Sequence, residues 1–290
     1  MRVLVLGASG MLGNAVIDVF NQDSSYEAWG TLRSASALRY FAEEQCARLL
    51  VGVDVLDQDA LVRALDIVRP DVVINCIGLI KQLAYAQDPL STLPVNAMFP
   101  HRLARLCGLA DIRVIHVSTD CVFSGRTGSY TESDPSDAED LYGKSKFIGE
   151  LHDLKHAITI RTSIIGHELD SNFALVDWFL SQTGEVKGFA KAIFSGLPTV
   201  ELASVIKDLV LTHPELHGLY HVAAAPIAKL ELLRLISSQY KKEIDIVPDD
   251  RLVIDRSLNC ERFRQATGYV APAWPDLIEK MFYGYRRSAR

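Results

Sequence analysis

Residues 1–13, MRVLVLGASGMLG, set the architecture of the chain. The apolar run Arg2–Leu6 predicts a buried strand, and the residues from Met11 onward repeat their apolar positions at helical spacing. Three glycines, at positions 7, 10 and 13, form the connection. A glycine-rich turn from a strand into a helix presents free N–H groups and the positive end of the helix dipole, which bind phosphate. The stretch therefore predicts a dinucleotide-binding turn.

The first half of the chain alternates short apolar segments with amphipathic ones. Strands are predicted at Arg2–Leu6, Ala28–Leu32, Leu49–Val53, Val72–Asn75, Arg113–Ser118 and Ala157–Thr162, and helices at Met11–Phe20, Gln58–Val68, Asn96–Cys107 and Tyr142–Leu154. Apolar strands separated by helices are typical of a parallel sheet covered on both faces. Right-handed crossovers then give an α/β fold with a doubly wound parallel sheet, the Rossmann architecture.

The second half is less regular. Helices are predicted at Phe173–Gln182, Val200–Thr212, Lys229–Tyr240 and Pro275–Tyr285, and short strands at Gly218–Val222 and Ile244–Val247. These elements are too few for an independent core of usual size. We therefore predict a dinucleotide-binding domain over 1–165 and a small C-terminal α/β substrate lobe over 166–290, with 200–222 returning to the first domain. Residues 124–141 are turn-rich and acidic and predict an exposed loop.

Composition narrows the classes of partner. The 290 residues carry a net charge of −6, which disfavours binding to nucleic acid and to anionic membranes. No apolar run is long enough for a transmembrane helix, and the N-terminus lacks the pattern of a signal peptide. Five dispersed cysteines fit reduced thiols in the cytoplasm, and the eight histidines form no metal-binding motif. We expect a cytoplasmic protein without a bound metal.

Two positions bear on the choice of cofactor. An NAD site usually has a carboxylate at the end of the second strand for the ribose 2′-hydroxyl. This chain has Arg33 there, which suits a 2′-phosphate and favours NADP (NADPH) over NAD; the alternative is a solvent-facing arginine. Asp54, with Val55 beside it, follows the third strand and is placed to accept a hydrogen bond from adenine. Its alternative role is a helix cap.

A second group of residues suggests proton transfer. Tyr142 and Lys146 are four residues apart, so they share one face of a predicted helix. An ammonium beside a phenol lowers the phenol's pKa, and such a tyrosine can protonate a carbonyl oxygen. Thr119 ends the fifth strand, at the carboxyl edge where ligands of this architecture bind. The alternative is a packing role for Tyr142 and a capping role for Thr119.

Five segments together resemble an extended short-chain dehydrogenase/reductase, and within that group the nucleotide-sugar reductases similar to dTDP-4-dehydrorhamnose reductase. They are GASGMLG from Gly7, NCIG from Asn75, STDCVFSG from Ser118, YGKSKFIGE from Tyr142 and RTSIIG from Arg161. The resemblance implies NAD(P)H-dependent reduction of a keto group on a nucleotide-activated 4-keto-6-deoxy sugar, in deoxysugar and polysaccharide biosynthesis. It implies Thr119, Tyr142 and Lys146 as the catalytic residues.

The resemblance also implies binding residues. Cofactor contacts are expected from Gly7, Ser9, Gly10, Met11, Leu12, Arg33, Asp54, Val55, Cys76, Ile77, Gly78, Tyr142 and Lys146. Substrate contacts are expected from Cys121, Val122, Phe123, Ile164, Lys187 and Arg256. Rhamnose-forming reductases usually have tyrosine where this chain has Cys121 and tryptophan where it has Ile164, so the sugar pocket should be reshaped. The family often forms dimers, so a homodimer is a further expectation.

Other functions fit the same motifs. Epimerases of the same superfamily use similar residues, and one branch of the group serves as a regulatory partner of methionine adenosyltransferase. Asn96 precedes a predicted helix and is interpreted as its cap rather than as a residue facing the site. His116 lies within an apolar strand and is interpreted as a core residue whose hydrogen bonds are satisfied.

Overall fold

The central feature of the computed structural model is a seven-stranded sheet. The structure describes residues 1–80 and 86–288, with the side chains of 287 and 288 excepted. The strands are β1 (Arg2–Leu6), β2 (Glu27–Leu32), β3 (Leu49–Val51), β4 (Val72–Asn75), β5 (Arg113–Thr119), β6 (Ala157–Thr162), β7 (Ile164–Ile165), β8 (Glu185–Phe189), β9 (Ala192–Phe194), β10 (Leu197–Pro198), β11 (Gly218–His221), β12 (Ile227–Ala228), β13 (Asp245–Asp249) and β14 (Ile254–Asp255).

The order of the strands is β11-β6-β5-β4-β1-β2-β3, and all neighbours run parallel. Val3 on β1 pairs with Val72 on one side and with Ala28 on the other. The order reverses beside β1, which is the point where ligands bind in doubly wound sheets. The predicted fold class is therefore confirmed. Strand β11 comes from the second half of the chain and extends the sheet beyond β6.

Helices cover both faces of this sheet. They are α1 (Met11–Asn21), α2 (Glu43–Cys46), α3 (Gln58–Val68), α4 (Pro89–Leu93), α5 (Phe99–Leu109), α6 (Leu141–Ile148), α7 (Leu175–Ser181), α8 (Thr199–Val205), α9 (Lys229–Tyr240), α10 (Glu261–Thr267) and α11 (Trp274–Ser288). One core cluster joins the sheet to α1 and α8 through residues such as Phe20 and Leu202. A second joins the opposite face to α3 and α5 through Leu61 and Leu103. Within the described ranges, none of the helices is both long and apolar enough to cross a membrane.

The remaining strands form small sheets in the C-terminal half. Strand β8 pairs with β13, β9 pairs with both β12 and β14, and β7 pairs with β10. Strand β14 leads directly into Arg256, so this small structure delivers a cation toward the carboxyl edge of the large sheet.

Several predicted boundaries were wrong. The helix predicted over Tyr142–Leu154 ends at Ile148, because Gly149 packs so closely that a Cβ there would lie 2.0 Å from the Asn96 carbonyl oxygen. The strand predicted to reach Val53 ends at Val51, before Gly52 with its φ of +80°. The helix predicted from Asn96 begins earlier, as α4, and continues through a wide π-helical turn into α5.

The predicted loop at 124–141 is more firmly held than its composition suggests. The buried ring of Tyr130 stacks on Phe123 with 4.1 Å between the ring centroids. The Tyr130 N–H donates to the Ser257 carbonyl, and the Asn259 N–H donates to the Tyr130 carbonyl. We call this contact between residues 124–131 and 255–259 the seam. It joins the loop to the C-terminal half of the chain.

Candidate active site

The glycine turn has the geometry that a pyrophosphate site requires. Gly7 has a φ of +82°, in the left-handed region that favours glycine. A Cβ on Gly13 would lie 2.1 Å from the Gly7 carbonyl oxygen, so only glycine lets the helix approach the turn. Helix α1 begins after Gly10 with no side-chain cap and no acid in its first turn. Its N–H groups are therefore available to an anion.

The other residues of this turn divide by exposure. Ser9 and Gly10 are exposed and Met11 is partly so, whereas the Leu12 side chain belongs to the core. Only the backbone of Leu12 can therefore face a ligand. Ile77 packs against the turn, and a Cβ on Gly7 would lie 2.8 Å from its side chain.

The two residues predicted at the adenosine end lie at the edge of the sheet. Arg33 follows β2 and is exposed. Asp54 follows β3, and its carboxylate accepts a hydrogen bond from the Leu56 N–H at 2.9 Å. Asp54 is thus tied to a turn before α3, whose cap is Asp57. Val55 is partly buried against the second core cluster.

The three residues predicted to be catalytic converge at the end of β5. Thr119 is its last residue, and its side chain interacts with the phenol of Tyr142, which lies in the first turn of α6. The buried ammonium of Lys146 donates to the Val117 carbonyl at 2.8 Å. Helix α6 is capped by Asp140, which accepts from the Gly143 N–H, and a Cβ on Gly143 would lie 2.2 Å from the Cys121 carbonyl oxygen. Glycine therefore lets α6 lie directly against this strand end.

Burial changes the acidity of this group of residues. It raises the pKa of Tyr142 above its ordinary value, with a smaller contribution from Cys121, so the predicted lowering by Lys146 was wrong. Desolvation outweighs the effect of an ammonium that is engaged by a strand carbonyl. Burial also lowers the pKa of Lys146 to about 8, which Glu150 and Cys76 oppose. Burial raises the pKa of the Cys76 thiol to about 12.

Asn96 has a role that its position in the sequence did not reveal. Its side chain accepts from the Leu79 N–H at 2.8 Å and donates to the Leu79 carbonyl at 3.0 Å. It also donates to the Ser145 hydroxyl, on the same helix as Tyr142 and Lys146. The prediction of a helix cap was wrong, because the π-helical turn directs Asn96 into the protein. Asn96 thereby holds the segment after β4 beside α6, where Gly78 lies close to the Lys146 ammonium.

His116 is only partly satisfied. Its Nδ1 accepts from the Asn75 side-chain amide at 3.1 Å, whereas its Nε2 is buried and has no hydrogen-bond partner among the residues the structure describes. The prediction of a fully hydrogen-bonded core histidine was therefore wrong. Burial, assisted by the charge of Lys146, lowers the pKa of His116, so the ring is neutral.

The predicted substrate residues do not all reach the crevice. Val122 and Phe123 are completely buried in a small cluster with Tyr130, so their side chains pack inside the protein instead of facing a ligand. Ile164 lies in β7, just past the end of β6, and is partly exposed. Lys187 is exposed on β8, where it assists Arg251, which has the larger effect, in lowering the pKa of Asp249 to about 2.

Arg256 does reach the candidate site. Its guanidinium donates to the Phe123 carbonyl at 2.8 Å and to the Cys121 sulfur at 3.7 Å. The buried carboxyl of Asp120 has a raised pKa because of burial, which the positive charges of Arg256 and Lys229 oppose. Two cations from the C-terminal half therefore lie near the strand end that carries Thr119. Among the described residues there is no group of three or more His, Cys, Asp or Glu side chains suited to hold a metal.

Known proteins share this architecture and sequence. The family model of the RmlD substrate binding domain matches residues 1–285. A dTDP-4-dehydrorhamnose reductase from Bacillus anthracis, solved in complex with NADP, is 21% identical with a TM-score of 0.79, and the match covers 97% of this chain and 98% of that one. At this identity the structural likeness shows the fold.

Curated relatives fall into two kinds. The probable low-salt glycan biosynthesis reductase Agl14 of Haloferax volcanii is 29% identical over 73% of this chain and 66% of its own length. The dTDP-4-dehydrorhamnose reductase of Mycolicibacterium smegmatis is 28% identical over 78% of this chain and 65% of its own length. The methionine adenosyltransferase 2 subunit beta of Danio rerio is 29% identical over 58% of this chain and 49% of its own length.

These matches span between about half and two thirds of the relatives' lengths. The family model, in contrast, matches nearly the whole chain, including both the glycine turn and the Thr119–Tyr142–Lys146 group. The resemblance seen in the sequence motifs is confirmed: this protein belongs to the RmlD substrate binding domain family.

Proposed function

We propose that this protein is an NADPH-dependent reductase of a nucleotide-activated 4-keto-6-deoxy sugar, acting in the biosynthesis of a deoxysugar-containing glycan. The observation that carries this proposal is the meeting of Thr119, Tyr142 and Lys146 at the carboxyl end of β5, in a family whose relatives include sugar reductases. The glycine turn provides a phosphate site at the adjacent edge of the same sheet.

The residues present suit a nicotinamide dinucleotide. The uncapped start of α1 would hold the pyrophosphate, and Asp54 and Val55 would meet the adenine. Cys76, Ile77 and Gly78 line the path from that turn toward Lys146. The exposed guanidinium of Arg33 would bind a 2′-phosphate, which is the reason for preferring NADP over NAD.

The chain's own groups manage the proton while the bound cofactor supplies hydride to the keto carbon. Tyr142 keeps its proton at neutral pH because burial raises its pKa, and a protonated phenol is the form that can donate to the substrate oxygen. The Thr119 side chain orients the phenol. Lys146, protonated below about pH 8, would bind the nicotinamide ribose and stabilise negative charge as the tyrosine gives up its proton.

The substrate would lie between the strand end and the seam. Cys121 and Ile164 would border the sugar, and smaller side chains at these positions leave room for a different sugar from that of rhamnose-forming reductases. Arg256 would bind the diphosphate, since its guanidinium is already directed at Cys121. Lys187 is a second candidate for that contact, from the exposed strand β8.

The test is NADPH oxidation measured over a panel of nucleotide keto-sugars, with the product identified by mass. We expect one NADPH consumed per sugar reduced, and a loss of about 10²–10⁴-fold in kcat for Tyr142→Phe. Tyr283→Phe is the matched control, because Tyr283 is half exposed on α11. Undiminished turnover by Tyr142→Phe would contradict the mechanism, and sugar conversion without net NADPH loss would indicate an epimerase.

A second candidate function is a regulatory subunit of a methionine adenosyltransferase. The match to the Danio rerio subunit beta favours it. A stable complex with a methionine adenosyltransferase catalytic chain, together with no turnover on any nucleotide sugar, would select this function over the reductase.

A further inference from the structure

A buried carboxylate lies just beyond the helix that carries Tyr142 and Lys146. Glu150 is completely buried at the side chain, and both of its oxygens are engaged. One accepts from the Ser118 hydroxyl and from Arg161 Nε, each at 2.7 Å, and the other accepts from Arg161 Nη2, also at 2.7 Å. This two-pronged pairing fixes the carboxylate in position.

The carboxylate and the Lys146 ammonium meet neighbouring residues of one strand. Lys146 donates to the carbonyl of Val117, and Glu150 accepts from the hydroxyl of Ser118. Consecutive Cα atoms are about 3.8 Å apart, so both charged groups are held at the same level of β5. Their positions depend on Gly149, which ends α6 and lets the chain bring Glu150 back toward the strand.

Other groups face this pair from the surrounding elements. Lys146 interacts with the Cys76 thiol after β4 and with the ring of His116 on β5, and both are neutral at neutral pH. His152, partly exposed, has its Nε2 3.5 Å from the second oxygen of Glu150. Glu150 is therefore the one anion among the described groups that we find acting on Lys146.

The far side of Arg161 is also fixed. Arg161 Nη1 lies 3.3 Å from His221 Nε2, and His221 Nδ1 lies 3.0 Å from the Tyr130 carbonyl. Burial, with a contribution from Arg161, lowers the pKa of His221 to about 3, so the ring is neutral. A neutral ring that accepts from Arg161 must donate from Nδ1 to the carbonyl, which satisfies every member of the chain.

We propose that Glu150 is a positioning residue of the proposed reductase: its buried carboxylate, held by Arg161, keeps Lys146 protonated at the working pH. The inference rests on the proposed function for the role of Lys146. Burial alone drives the Lys146 ammonium toward deprotonation, and Glu150 opposes that effect. Loss of the carboxylate should therefore shift the lysine titration to lower pH.

The experiment measures the titration of Lys146 directly, by NMR of the ¹³Cε-labelled lysines, with Lys146→Arg used to assign the signal. We expect Glu150→Gln to lower the midpoint by about one pH unit, because a nearby opposite charge stabilises an ammonium by amounts of this order. The double variant Glu150→Gln, Arg161→Met should recover part of the shift, since it also removes the positive charge left behind. A purely structural role for Glu150 would not produce this ordering.

Controls and kinetics complete the test. His152→Gln should leave the midpoint unchanged, which excludes a contribution from the titration of that ring. Should Glu150→Gln not fold, the double variant, which leaves no unpaired buried charge, must still titrate below the wild type. A midpoint equal to that of the wild type in the folded variants would overturn the proposal.

The outcome for Glu150 separates from that for the proposed function. If the midpoint falls as expected but no keto-sugar is reduced, the coupling between Glu150 and Lys146 stands and the reductase assignment fails. If the wild type is active and Glu150→Gln titrates like it, the reductase assignment stands and the role of Glu150 fails. With both correct, the fall of kcat/KM at high pH should move to lower pH in Glu150→Gln.

Discussion

The glycine turn at residues 7–13 and the seam between residues 124–131 and 255–259 both border the candidate active site, but they are built differently. In the turn, every close contact lies within a few residues or against the next strand, as where Gly13 meets Gly7. In the seam, Tyr130 pairs with residues almost 130 positions away. The cofactor end is thus determined by local sequence, and the substrate end by long-range packing.

This difference has a consequence for change. A substitution in the turn meets backbone that cannot move, whereas the seam is held by several separate hydrogen bonds and a ring stack. We therefore expect sharp, large effects in the first region and graded effects in the second. Substrate preference should be easier to alter than cofactor binding.

The largest effect should come from Gly13→Ala. The new Cβ would lie 2.1 Å from the Gly7 carbonyl oxygen, so helix and turn must separate. We expect a loss of about 3 kcal/mol in unfolding free energy and weaker NADPH binding. Gly52→Ala is the control: its φ of +80° is strained, but no atom lies within 4 Å, so about 1 kcal/mol is expected. Urea unfolding would measure both, and equal losses would contradict the contrast.

Tyr130→Phe tests the seam. The Tyr130 hydroxyl accepts from the N–H groups of Gly125, Arg126 and Thr127, at 3.0 to 3.3 Å, and phenylalanine leaves these donors without their partner. We expect a loss of about 1–3 kcal/mol in unfolding free energy. Nucleotide-sugar affinity should fall more than NADPH affinity, as isothermal titration calorimetry would show. Equal weakening of both ligands would mean that the seam does not serve the substrate end selectively.

The seam should also give the protein a dependence on pH. The pKa of His221 is about 3 in the folded protein, against an ordinary value of 6.5. The unfolded chain therefore binds a proton first, and stability is lost as the pH falls below about 6.5, by up to about 1.4 kcal/mol per pH unit. His221→Gln should reduce this slope, and the exposed His217→Gln should not. Unfolding at pH 5 and pH 7 provides the measurement, and identical slopes in all three proteins would refute it.

The smallest effect is expected from Arg33→Gln at the cofactor end. Because Arg33 is exposed, the unfolding free energy should not change. NADPH affinity should fall about tenfold through loss of a charge-assisted contact, while NADH affinity stays the same. Arg102→Gln, an exposed arginine on α5, is the matched control. Fluorescence titration with the two cofactors would decide, and parallel changes in both would remove Arg33 from the choice between them.

Much of the fold could be predicted from local patterns. Apolar strands such as Val72–Asn75 and the spacing of Tyr142 and Lys146 depend on neighbours in the chain, so their predictions held. Asn96 could not be placed, because a π-helical turn changes which way its side chain points. The raised pKa of Tyr142 was missed because burial is a property of the folded chain. Val122 and Phe123 were misplaced because their partner Tyr130 lies in a segment that composition marks as exposed.

The wide turn at Pro94–Met98 makes chain length itself a constraint. A π-helical turn holds one residue more than a regular α-helical turn. Deleting a single residue there would let the helix become regular and rotate α5 by about 100°, the angle per residue of an α-helix. Phe99 and Leu103 would then leave the core beneath β4 and β5, and Asn96 would lose Leu79. This stretch can exchange side chains over evolutionary time, but it cannot shorten by one residue and keep the same site.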